Sequence, residues 1–89
     1  MAKKASQPIV INKLTFNQVS AYWDRIGLIT IRVMTKGGTV SRFEPTVDPL
    51  PDEIARWQKT FDDAAFFKVG DGVWISREQF QLILDAEGV

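Results

Sequence analysis

Proton chemistry in this sequence would have to come from its carboxylates. They occur as Asp52-Glu53, Asp62-Asp63 and Asp85 with Glu87. Paired acids do acid–base work when their environments drive their pKa values apart. Adjacent residues on a helix point in different directions, so these pairs are poorly placed to converge. Asp52 and Glu53 have a simpler use, at the positive end of a helix. The chain has no histidine and no cysteine, which removes the commonest general base, a disulfide framework and zinc-ribbon chemistry. No EF-hand loop is present. "KGGT" at 36–39 and "GDG" at 70–72 lack the spacing of a P-loop or a dinucleotide fingerprint. Both fall between strand-like segments, where glycine serves a turn. The expectation is a protein that is not an enzyme, with no catalytic residue, no cofactor and no metal site.

Binding chemistry is better represented. Arg32, Lys36 and Arg42 fall on the outer face of a first hairpin, and cations on a two-stranded ribbon can follow phosphates or enter a major groove. The simpler reading is a solvated strand face with Arg32 paired across to Glu44. "AFFKVGDGVWIS", Ala65 to Ser76, sets Phe66, Lys68 and Trp74 on one face of a second hairpin. Outward aromatics on a sheet can stack bases or anchor a protein partner. Trp is highly buried on average, so a helix covering this face is the simpler expectation. Leu82 and Met34 are weaker exposed candidates.

These residues need elements to position them. "PIVINKL", 8–14, reads as a first strand. Thr15 and Gln18 form a capping box, with Leu14 and Val19 as a hydrophobic staple, and Gly27 ends the helix. Phe16, Val19, Tyr22, Trp23 and Ile26 fall on one side of that helix. A hairpin follows. A three-residue loop, 37–39, sets Val33 opposite Phe43 and Arg32 opposite Glu44. Ile29, Ile31, Val33 and Phe43 then face the core, with Arg32, Met34, Lys36, Arg42 and Glu44 outward. A second helix starts at Asp48-Pro49 or Asp52, with Ile54, Trp57, Phe61, Ala64 and Ala65 inward. In the second hairpin Gly70 to Gly72 form the loop. Phe67, Val69, Val73 and Ile75 make the core face. Ser76 and Gln79 cap a last helix running to about Glu87, with Phe80, Ile83 and Leu84 on its inner side.

The whole reads as a small single α+β domain with a largely antiparallel sheet, two hairpins and three helices, in the order β-α-β-β-α-β-β-α. A tail, 1–7, precedes the domain, 8–89. With 89 residues such a domain buries roughly 60% of its unfolded surface or slightly more. Its apolar fraction of 45% includes ten aromatics, a large supply for that core. Phe66, Lys68, Val69 and Ile75 resemble the end of LytTR-type DNA-binding domains. That family's DNA-facing His-Arg-Ser falls here on Gly70, Asp71 and Gly72, so the resemblance implies no function for this chain.

Net charge is zero but unevenly spread. Residues 1–43 hold seven bases and one acid, and 44–89 hold four bases and ten acids. The simpler expectation is that the halves interleave and neutralise each other. A pI near 6.2 argues against strong non-specific nucleic-acid binding. No apolar run reaches membrane-spanning or signal-peptide length, and with no cysteine a cytoplasmic location is expected. The leading expectation is a small binding module that regulates, inhibits or assembles through protein–protein contacts, in the style of phage and mobile-element accessory proteins. Nucleic-acid binding through hairpin 28–44 and the aromatic face is the alternative. Self-association into a homo-oligomer, basic half to acidic half, is the third reading.

Overall fold

The structure, a computed structural model, describes residues 14–89. Its elements are α1 (Phe16–Arg25), β1 (Ile31–Thr35), β2 (Val40–Phe43), α2 (Pro51–Asp63), β3 (Ala64–Val69), β4 (Ile75–Ser76) and α3 (Arg77–Glu87). The strand expected at 8–14 and the tail at 1–7 lie outside the described residues, apart from Leu14, which is fully buried. The order of the remaining elements is as the sequence predicts. The four strands form one antiparallel sheet, β2-β1-β3-β4.

The helices form where their ends are satisfied. Thr15 accepts from the Gln18 amide at 3.1 Å, and the Gln18 side chain reaches back to the Thr15 N–H. Ser76 and Gln79 repeat this arrangement before α3. Such a cap is worth about 1 kcal/mol. The second helix begins later than Asp48-Pro49 and without a capping side chain. Leu50 occupies the cap, Pro51 leads, and Asp52 and Glu53 stand in the first turn. Pro51 has the φ the first turn needs and no N–H to leave unsatisfied. The other end of α2 carries no base of its own. Arg77 of α3 supplies one, its Nη1 donating to the carbonyls of Phe61 and Ala64.

One apolar cluster joins all three helices to one face of the sheet. Ile31, Val33, Phe43 and Phe67 come from the sheet, Phe16, Val19 and Tyr22 from α1, Phe61 from α2, and Phe80 and Leu84 from α3. Phe43 is its hub, edge-on to Phe16, Trp23 and Trp57 at 5.9, 6.3 and 4.9 Å between ring centroids. Phe67 and Phe80 stack at 4.3 Å. Each buried ring contributes about 1.5–3 kcal/mol, and edge-on pairs add to this.

Gln58 fixes the entry to α1. Its amide nitrogen donates to the Leu14 carbonyl at 2.8 Å, and its oxygen accepts from the Phe16 N–H at 3.0 Å. A side-chain amide thereby does for this segment what a neighbouring strand would do.

Three details of the hairpins differ from expectation. Ile31 faces Phe43 and Arg32 faces Arg42, two residues away from the predicted register. The turn closes between Thr35 and Thr39, held by the Thr35 N–H to Thr39 carbonyl bond at 2.9 Å. A shift of two preserves which side chains face inward, so the predicted faces survive. Ile29 lies before β1 and is 46% exposed. Val73 is 76% exposed because β4 does not begin until Ile75. The second hairpin otherwise keeps its predicted register, with Phe67 opposite Ile75.

Candidate functional site

The second face of the sheet carries no described helix. Every helix contributes its buried residues to the single core on the other side. The expected cover over Phe66 and Trp74 is therefore absent among the described residues: Phe66 is 38% exposed and Trp74 is half-buried.

Strand pairing unites the two candidate sets. Arg32 of β1 lies opposite Arg42 of β2 and opposite Lys68 of β3. Lys68 in turn stands over the Trp74 ring, 5.9 Å from its centroid. The result is a row across the sheet: Arg42, Arg32, Lys68, Trp74. Neighbouring strands lie about 4.8 Å apart, so the row runs about 15 Å. The adjacent row is Val40, Met34, Phe66 and Ser76. Val40 is 51% exposed and had not been singled out from the sequence.

Like charges directly opposite one another destabilise a sheet. Among the described residues, one carboxylate answers three cations on this face. Glu44 Oε2 meets Arg42 Nε at 3.1 Å. Arg32 turns to the Gly70 carbonyl, 3.4 Å away, and Lys68 to the indole of Trp74. The partner predicted for Arg32, Glu44, belongs to Arg42 instead, because of the register shift.

Lys36 and Leu82 are not part of this arrangement. Lys36 sits in the β1–β2 turn beyond the paired residues. Leu82 is 67% exposed, but on α3 in the helical layer. The carboxylate pairs do not converge. Asp62 accepts from Gln58, Asp63 pairs with Lys59 and Glu87 with Arg25. Among the described residues no group of three or more acids could enclose a metal ion, and no helix is long and apolar enough to cross a membrane.

The halves of the chain do interleave, since β1 pairs with β3, yet their charges do not cancel. They separate by layer. The sheet face holds Arg32, Arg42 and Lys68 against Glu44, with Lys36 at its rim. The three helices hold eight acids and four bases. Comparison with known protein families, curated proteins and solved structures finds no match.

Proposed function

We propose that this protein is a non-catalytic binding module whose open sheet face takes a single strand of nucleic acid. The observation that carries the proposal is the row Arg42, Arg32, Lys68 and Trp74, which sets three cations beside the half-buried Trp74 ring, with the more exposed Phe66 in the adjacent row. Cations at neighbouring strands answer a chain of phosphates. The Phe66 and Trp74 rings offer stacking surfaces worth about 1–3 kcal/mol for each base they engage. A single strand can turn its bases onto such a face, whereas a duplex keeps them stacked inside. The β1–β2 turn brings only Lys36 as a cation, which gives a groove-inserting ribbon little to work with. The self-repulsion of the row is a reason for it to bind an anion, since one carboxylate leaves most of it uncompensated. A protein partner, favoured by the sequence, finds support in the apolar row Val40, Met34 and Phe66 beside the cations.

Titration with labelled single-stranded and duplex oligonucleotides at two salt concentrations separates these readings. Neutralising about three phosphates of a single strand gives a slope near −2 in log affinity against log salt. Phe66→Ala with Trp74→Ala is expected to weaken binding at every salt concentration, and Arg32→Ala with Lys68→Ala to flatten the slope. Absence of salt-sensitive binding at low ionic strength excludes nucleic acid. Tighter binding to duplex than to single strand overturns the stacking role.

A further inference from the structure

A second site lies away from the sheet face, where the end of α1 meets the proline-rich strap after β2. A groove of ≈ 450 Å³ opens there, lined by Trp23, Asp24, Leu28, Pro45, Val47 and Asp48 among others. This is within the range of small-ligand sites. Its walls are apolar. Leu28 and Val47 are 61% and 90% exposed, and neither buries its side chain in the core.

Its charge is one-sided. Asp24 stands in the last turn of α1, where the helix already presents its negative end. Asp48 adds a second carboxylate from the strap. Neither has an ion-pair partner among the described residues; the nearby Arg25 is turned to Glu87 on α3. The indole of Trp23 forms an aromatic wall, and its Nε1–H is buried with no acceptor among the described residues. Leu28 and Asp48, both in the wall, are the non-glycine residues with left-handed backbone among the described residues, at φ 65° and 51°. For Leu28 this backbone is uncommon, whereas Asp adopts it readily in turns.

We infer that this groove receives a lysine- or arginine-bearing segment of a partner peptide. The alkyl stem lies along Leu28, Val47 and Pro45. The cationic head is attracted by Asp24, Asp48 and the helix end, and an indole face favours a cation as well. The site is independent of the sheet face, which has the opposite charge.

The test follows the Trp23 indole N–H by proton–nitrogen NMR in the full chain, assigned with Trp23→Phe. Acetyl-Gly-Lys-Gly-amide is titrated against the same peptide acetylated on the lysine side chain. The expected result is a saturable shift of the Trp23 signal with the cationic peptide, while the Trp57 and Trp74 signals stay in place. Asp24→Asn with Asp48→Asn is expected to weaken that binding several-fold while leaving the rest of the spectrum folded. No Trp23 shift, an equal shift with the acetylated peptide, or an unchanged response in the double variant each overturns the inference.

Discussion

At the scale of single residues, two positions behave in ways that their neighbours dictate. Gly70 turns the chain from β3 toward β4 at φ +57°, and a Cβ there would stand 2.8 Å from Ile29 Cγ2. Its N–H donates to the Thr30 carbonyl at 2.8 Å. Gly70→Ala is expected to lower stability by about 1–2 kcal/mol from the left-handed backbone alone, read as a shift in the urea midpoint. Tyr22 packs edge-on to Phe80 at 5.8 Å. Burial raises its pKa above the ordinary 10.0, and the Glu87 carboxylate raises it further. Above pH 10 the unfolded chain therefore loses this proton while the folded chain keeps it. The stabilisation is complete below that pH and fades as the pH climbs through the folded pKa. Thermal unfolding of the wild type and Tyr22→Phe across pH 9 to 11 is expected to show the smaller loss in the variant.

At the scale of elements, the helices depend on local chemistry that can be read along the chain. Thr15-Gln18 and Ser76-Gln79 announce both capping boxes, and Leu14 and Val19, the predicted staple, are fully buried. Ser76→Ala is expected to cost about 1 kcal/mol in denaturant unfolding. The start of α2 was less legible because Asp48 and Pro49 carry the same start signals as Pro51 and Asp52, and the strap uses the first pair. Nothing in α2's own sequence shows that Arg77, from another helix, bonds the carbonyls at its end. Arg77→Met is expected to destabilise by about 1.5–3 kcal/mol, the range for hydrogen bonds from a charged donor. The inward set of each hairpin was legible because alternation fixes it. The union of the two outward sets was not, because it rests on β1 pairing with β3 across a long stretch of sequence. If both inward sets share one core, both outward sets must share the other face of the sheet.

At the scale of the whole molecule, the described residues separate charge by layer, with Arg32, Arg42 and Lys68 on the sheet face and eight acids against four bases on the helices. Two copies could meet face to back through these surfaces. At low salt, light scattering is expected to show weak self-association that disappears as screening increases. Arg32→Glu with Lys68→Glu is expected to abolish it, because the variant is acidic on both sides. A single-stranded oligonucleotide is expected to disperse the same associates by taking the cationic face. That competition links solubility to ligand occupancy without any change of fold.

Gln58 adds a consequence for motion. The N–H of Phe16 heads a helix, where amides ordinarily exchange freely with water. Here it is held by a side chain rooted in the middle of α2. Its hydrogen exchange should be slowed and should report the opening of α2 as well as the fraying of α1. In Gln58→Ala that amide should exchange at the rate of an ordinary helix terminus. The start of the described chain and the centre of α2 would then open as one cooperative unit, although 42 residues separate them in sequence.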